Sequence, residues 1–166
     1  MSDALTRIRD TLERAAASYT IIDCDPALSD TADFCAHHGY ALEDSVNTIL
    51  MKAKGSRAIA PFVACAVLAH CRLDTNHTLR TKLDARKVSF ASDAETRELT
   101  GMELGGVTAF GLPPGIPLWV DAAVMDRETL IFGSGERASK IVTTPAAVDA
   151  LTGVTVIDGL AKPVEP

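Results

Sequence analysis

Aromatic side chains are scarce in this chain. Of 166 residues, one is Trp, two are Tyr and five are Phe, although 47% are apolar. The core is therefore expected to be aliphatic, and the length suits one domain spanning 1–166. No apolar run reaches the ~18 residues of a membrane helix. The opening MSDALTRIRD lacks the basic-then-apolar order of a signal peptide, so a cytoplasmic location and no membrane partner are expected. The four cysteines, Cys24, Cys35, Cys65 and Cys71, form no CxxC pair, which argues against a disulfide frame and for reduced, buried thiols. There is no GxSxG elbow, no HExxH, no P-loop and no Cys/His set with zinc spacing, so neither metal nor cofactor is expected. The glycines from Gly101 to Gly106 come after a predicted helix, where a dinucleotide fingerprint requires a strand. What survives these exclusions is chemistry that oriented donors and water can carry, such as hydrolysis of an activated ester.

Basic residues are also in deficit, with a net charge of −6, but they are unevenly placed. Residues 52–87 carry eight basic and two acidic side chains, whereas the segments on either side are each acidic by −6. A basic middle between acidic ends can steer a phosphate backbone. Lys52, Lys54, Arg80, Lys82 and Arg86 are the candidates for RNA contact. An ordinary solvated face is the alternative.

Apolar spacing predicts a helix over 3–18, capped by Ser2 or Asp3, and a short strand over 19–24. A second helix runs to His37 and stops at Gly39, which places the His37-His38 dyad where the helix dipole favours cations. Val46 to Ala53 reads as a strand. Phe62 to Leu73 reads as another, apolar on both faces and so central, forming an antiparallel hairpin with the first. His70 near its end could line a pocket. A helix over 76–86, a strand over 87–91, and a helix over 94–100 with a Ser92/Glu95 capping box come next. Short strands are predicted at 118–122, 129–132, 140–143 and 154–157, with a helix from Pro145 to near Gly153. The tail from about 159 is expected to be loose. The pattern lacks a regular βαβ rhythm. The fold class is α+β: a mixed, mainly antiparallel sheet or partly closed barrel with helices around it.

The most distinctive stretch is LTGMELGGVTAFGLPPGIPLWVDAAV, from Leu99 to Val124. Its glycines permit sharp turns and close approach of a ligand, and its prolines stiffen the chain leading into the strand at 118. Main-chain N–H groups there could converge on an anion or a polarised carbonyl; a surface turn without ligand is the alternative. Gly105-Gly106-Val107-Thr108-Ala109-Phe110-Gly111, and after it Pro117-Leu118-Trp119-Val120-Asp121, resembles the YbaK/ProX family, free-standing relatives of the editing domain of bacterial prolyl-tRNA synthetases. Lys87-Val88-Ser89-Phe90-Ala91 and Phe132-Gly133-Ser134-Gly135 are similar to further family segments, and the resemblance spans about Pro26 to Leu151. It implies a trans-acting deacylase of mischarged aminoacyl-tRNA, with the tRNA 3′ end, and an aminoacyl-tRNA synthetase, as partners, in a monomer or weak homodimer. It further implies that Gly105, Gly106 and neighbouring backbone, including Val107 and Thr108, hold the terminal adenosine and ester. Asp121, Ser134 and Gly135 would line the pocket, with the amino-acid side chain against an aliphatic wall.

One position departs from the family pattern. Asn47 stands where the family carries its pocket lysine. Lys52 and Lys54 lie an odd number of residues away and so face the other side of an unbroken strand. Arg137 or Lys140 could reach across instead, and Asn47 itself could place a water or a carbonyl. The departure also permits a second reading, a weakened module that binds tRNA ends or an aminoacyl-adenosine-like ligand without cleaving it. A third is an interaction domain with no RNA role.

Overall fold

The computed structural model describes residues 3–164. Helix α1 (Asp3–Ala15) buries Ala4, Ile8 and Leu12, a stripe spaced by four residues, and the chain leaves it through Ala16 at φ 53°. Ser2, one of its two candidate caps, lies outside the described residues. Strand β1 (Thr20–Asp23) comes next, then helix α2 (Thr31–His38), which ends at Gly39 with φ 77° and a bond from its N–H to the Cys35 carbonyl. This is the expected left-handed glycine stop, with His37 and His38 in the last turn.

Strands β2 (Val46–Lys54) and β3 (Phe62–Leu68) form the antiparallel hairpin, Val46 opposite Leu68 and Lys52 opposite Phe62. The apolar run does not continue as one strand to Leu73. It turns at Ala69 and His70 and resumes as β4 (Cys71–Leu73) in a different sheet. The predicted helix over 76–86 is shorter and irregular. A wide turn over Thr75–Leu79, held at its start by the Asp74 carboxylate, leads into α3 (Arg80–Leu83), and Asp84 leaves it at φ 51°. Strand β5 (Lys87–Phe90) pairs with β2, and α4 (Asp93–Thr100) carries the full capping box, the Ser92 and Glu95 side chains each bonding the other's amide at 3.0 Å.

After the glycine loop come β6 (Leu118–Asp121), α5 (Ala122–Met125), the β7 (Leu130–Gly133) and β8 (Ser139–Thr143) hairpin, and α6 (Pro145–Asp149), which stops short of Gly153. Strand β9 (Val154–Ile157) precedes β10 (Ala161–Pro163). The last of these corrects the expectation of a loose tail: β10 pairs antiparallel with β4, and Leu160 before it is fully buried.

The main sheet runs β5-β2-β3-β6-β9, with β3, β6 and β9 parallel, and a second sheet runs β1-β8-β7. The fold is α+β and mainly antiparallel, without a closed barrel among the described residues. Strand β3 is central, as its two apolar faces require. Ala64, Ala66 and Leu68 pack with Val46, Leu50, Phe110 and Phe132 on one side. Val63, Cys65 and Val67 pack with Met51, Leu79, Leu83 and Trp119 on the other. All four cysteines are free, and burial pushes the Cys65 thiol up to about 12. Among the described residues no helix is long and apolar enough to cross a membrane.

Candidate active site

The β2 strand is longer than the partner on its outer edge. It pairs with β3 from residue 46 to 52, but β5 covers only residues 51–54. Peptide groups along a strand alternate in direction. Those of Leu50 and Lys54 point toward β5, accepting from the amides of Ala91 and Arg86. Those of Thr48 share that parity and meet no strand, so they face open space. This space is a cavity of about 290 Å3, enclosed by the 45–49 edge of β2, residues 29–34 at the start of α2, the 131–133 segment of β7, Lys140 of β8, and Gly105 and Val107 of the glycine loop.

The cavity is polar where it is deep. The hydroxyls of Ser29 and Thr48 are buried with no hydrogen-bond partner. Lys140 is only 7% exposed, and no carboxylate lies within 4 Å of it among the described residues. Its ammonium sits 6.0 Å from the centre of the Phe34 ring. Burial holds its pKa below the usual lysine range, and Arg137 adds to this, while Cys24 and Asp30 oppose it. Lys140 is there because β8 lies between β1 and β7 in the second sheet, whose β7 edge approaches β2 through a parallel bridge from Ser45 to Ile131.

The two adjacent glycines have different tasks. The amides of Gly105 and Val107 meet no acceptor among the described residues, and both residues line the cavity. The Gly106 amide, expected to serve a substrate, is already bonded to the Glu103 carbonyl at 2.9 Å, and its carbonyl accepts from Gly135 at 2.7 Å. A Cβ on Gly106 would stand 2.6 Å from the Glu136 backbone, so this glycine exists for main-chain packing. Gly105, at φ 80°, lies against the Arg137 guanidinium, which donates to the Pro26 carbonyl at 3.1 Å. Arg137 thus ties the glycine loop to the chain entering α2.

Of the other residues singled out from sequence, Asn47 is exposed and lines the cavity. Thr108 is fully buried behind it, its amide on the Met102 sulfur and its hydroxyl unpartnered. Asp121, Ser134, Gly135 and His70 are not among the lining residues. The Asp121 carboxylate accepts from the amide of Ala161 at 3.2 Å, and the neighbouring amides of Leu160, Ala122 and Ala123 also favour its charged form. Burial pushes its pKa up, against those bonds. Ser134 Oγ closes the β7–β8 turn through the Ser139 carbonyl at 2.9 Å and hydroxyl at 2.8 Å. Gly135 packs on Ile8 of α1. His70 lies in the turn between β3 and β4, and its carbonyl accepts from Val164.

The basic residues do not all remain available. Lys52 is paired with Glu95 at 2.7 Å, and Glu95 is held down to about 2 mainly by that bond. Lys54, Arg80, Lys82 and Arg86 are exposed around α3 and the far end of β2. At the usual rise per residue, Lys54 stands roughly 23 Å along β2 from Asn47.

The family model for the aminoacyl-tRNA editing domain matches residues 25–151. The chain belongs to this family. In fold it is similar to a protein proposed as a trans-editing enzyme for prolyl tRNA synthetase, with a TM-score of 0.81, 20% identity and coverage of 99% of both chains. The hypothetical protein APE2540 superposes with a TM-score of 0.80 at 23% identity, over 94% of this chain and 99% of its own. A protein of Marinobacter aquaeolei VT8 proposed to act in signal transduction contains the same fold over 30% of its length, matching 95% of this chain with a TM-score of 0.67 and 15% identity. The editing-domain assignment directs attention to this cavity, which brings together Asn47, Gly105, Val107 and Lys140. Sequence reading gives no site role to Ser29, Thr48 or Phe34. It offers Lys140 only as a residue able to reach across. The available signal is a lysine directly before the apolar pair Ile141-Val142 in the short strand SKIVT.

Proposed function

We propose that the chain hydrolyses the ester of mischarged aminoacyl-tRNA in trans, with the 3′-terminal acyl-adenosine in the β2-edge cavity. The observation carrying this reading is that Lys140, 7% exposed and with no carboxylate within 4 Å among the described residues, lines one cavity with Gly105 and Val107, whose amides meet no acceptor among the described residues. These donors suit the ester carbonyl and the negative charge that develops on its oxygen. Water adds to the carbonyl carbon, the bond to the ribose 3′-oxygen breaks, and that oxygen leaves with a proton. Free amino acid and uncharged tRNA result. The exposed peptide groups of Thr48 suit the acyl chain or ribose, and Asn47 at the rim suits a ribose hydroxyl. Lys140 then supplies, from β8, the cation that the family places at the Asn47 position. Lys54, Arg80, Lys82 and Arg86 would carry phosphates of the acceptor end.

The test is release of radiolabelled amino acid from a panel of mischarged tRNAs, with and without EDTA. Loss of ester above the buffer rate for at least one amino acid, with Lys140→Met reduced at least tenfold, is the expected result. No loss for any member would reject the reading. Asn47 favours a second one, a module that binds the aminoacyl end without cleaving it. In that case the wild-type chain protects the ester, and Asn47→Lys gains hydrolysis.

A further inference from the structure

Strand β10 places Lys162 directly opposite Arg72 of β4. The next pair along this ribbon, Leu73 and Ala161, is buried, so the pleat turns Arg72 and Lys162 outward together, and both are exposed. Side chains directly opposite on one face stand about 5 Å apart at Cβ, and like charges there oppose pairing of the strands. Among the described residues one carboxylate attends the two cations. Asp74 reaches the Lys162 ammonium at 3.5 Å, and it also accepts from the Thr78 hydroxyl at 3.0 Å and the His77 amide at 3.3 Å. Arg72 has no carboxylate within 4 Å among the described residues. The two cations border a groove of about 560 Å3, with Asn76 and Val164 on its walls. Arg80 of α3 continues the basic surface, its Nε on the Asn76 carbonyl at 3.0 Å.

The ribbon leaves the sheet at the end that holds the β2-edge cavity. Val46 is opposite Leu68, and the Ala69 amide donates at 2.8 Å to the carbonyl of Ser45, a residue lining that cavity. Arg72 comes three residues later, so the chain keeps the Cα atoms of Ala69 and Arg72 within roughly 11 Å. Lys54 and Arg86, bonded to each other through their main chains, lie at the opposite end of β2. Lys162 lies outside the matched editing domain, so the cation pair is a property of this chain.

We propose that this ribbon is an RNA contact: Arg72 and Lys162 hold backbone phosphates of the unpaired 3′ end of tRNA as that end enters the β2-edge cavity. The proposal rests on the editing reading above and adds the surface that guides its RNA. The guanidinium fork suits phosphate oxygens, and a phosphate between the two side chains relieves the repulsion that folding leaves there. Lys54 and Arg86 are left with phosphates further from the ester.

The experiment measures filter binding of uncharged tRNA to the full chain at several salt concentrations, so that it does not depend on hydrolysis. Each phosphate contact to a single strand contributes about 0.7 to the slope of log affinity against log salt. Arg72→Gln combined with Lys162→Gln should lower the slope by about 1.4, and Arg72→Lys combined with Lys162→Arg, which keeps both charges, by less than about 0.5. On tRNA trimmed of its unpaired 3′ nucleotides the wild-type chain should already show the lower slope, with no further loss in the glutamine variant. Arg72→Gln alone should melt no lower than wild type, which separates a lost contact from a lost fold. A lower melting temperature would overturn the proposal by making Arg72 a stabiliser of the ribbon. An unchanged slope on intact tRNA would overturn it and leave the deacylase reading intact. So would an equal loss on trimmed tRNA, an equal loss in the charge-retaining variant, or competition by poly-glutamate as strong as by tRNA, which would assign the surface to an acidic protein. The expected slopes without release of amino acid from any mischarged tRNA would support the RNA contact and reject the deacylase reading.

Discussion

The Gly135 amide donates to the Gly106 carbonyl at 2.7 Å, and this bond fixes the glycine loop onto the β7–β8 turn. On the other side of the same contact, a Cβ at Gly133 would stand 2.6 Å from the Gly106 carbonyl oxygen. Main chain meets main chain here with no side chain between. Gly105 lines the cavity, and its amide, unlike that of Gly106, meets no acceptor among the described residues.

Gly106 and Gly115, both in the loop between α4 and β6, should therefore respond differently to alanine. In Gly106→Ala the new methyl meets the Glu136 backbone, which cannot swing away as a side chain can. Overpacking of this kind costs about 2–3 kcal/mol, a melting temperature roughly 4–12 °C lower. Gly115→Ala is the control, since its φ is 94° but nothing lies within 4 Å, and it should lose only about 1 kcal/mol. Thermal unfolding monitored by circular dichroism reads both. Equal losses would mean that the contact with the Glu136 backbone adds no special cost at Gly106.

Asp121 marks a strand end that resemblance reads as pocket. Its carboxylate instead receives the amides that lead into β10. Asp121→Ala should orphan those N–H groups and cost about 2 kcal/mol. Deacylation per folded molecule should stay within about twofold, because a group that does not touch the substrate affects the barrier little. Hydrogen exchange should show the amides of Leu160 and Ala161 losing protection first. A large fall in kcat with unchanged stability would return Asp121 to the site.

The parts legible from sequence are those fixed by local chemistry. The Ser92/Glu95 capping box, the Gly39 stop and the two apolar faces of β3 each arise from residues a few positions apart. The tail and the site depend on distant partners. Leu160 and Ala161 are ordered by Asp74 and Asp121, and no periodicity in GLAKPVEP announces that. Lys140 enters the cavity because β5 is too short to cover β2 and the β7–β8 hairpin comes to its edge. Neither fact is written near residue 140. The glycine motif points to a loop that borders the cavity, but which amide of the pair lacks an acceptor depends on Glu103 and Gly135.

Lys52 should count least among the basic candidates, because Glu95 already holds it. Each lysine or arginine that neutralises an RNA phosphate adds about 0.7–0.9 to the slope of log affinity against log salt. Lys54→Ala, Arg86→Ala and Lys82→Ala should each reduce that slope, and Lys52→Ala should leave it nearly unchanged. Filter binding to a mischarged or uncharged tRNA at several salt concentrations measures this. The same pair predicts an acid response. Glu95 titrates lower in the fold than its ordinary 4.5, at about 2. Its contribution is thus complete above the ordinary value and is lost as the pH falls toward about 2. Glu95→Gln should flatten the acid limb of the stability profile in that window.

Lys140 ties stability to function with opposite signs. A buried ammonium without a carboxylate is unfavourable for folding, so its pKa lies below the unfolded value. Below the folded pKa both states are charged, and the cost of burial is fully present. Between the folded pKa and the unfolded value of about 10.4, the unfolded chain binds more protons, so stability rises with pH across that interval. Lys140→Met removes the charge and keeps the bulk. It should be as stable as wild type or more so at neutral pH, and it should lack the alkaline rise. Its deacylation should nevertheless fall by about 100-fold, the usual consequence of removing one donor from a developing oxyanion. Lys140→Arg restores the charge in a larger head and should recover only part of the rate. Urea unfolding at several pH values, paired with single-turnover deacylation, reads both sides. A methionine variant that loses stability and keeps activity would reduce Lys140 to a packing residue over Phe34.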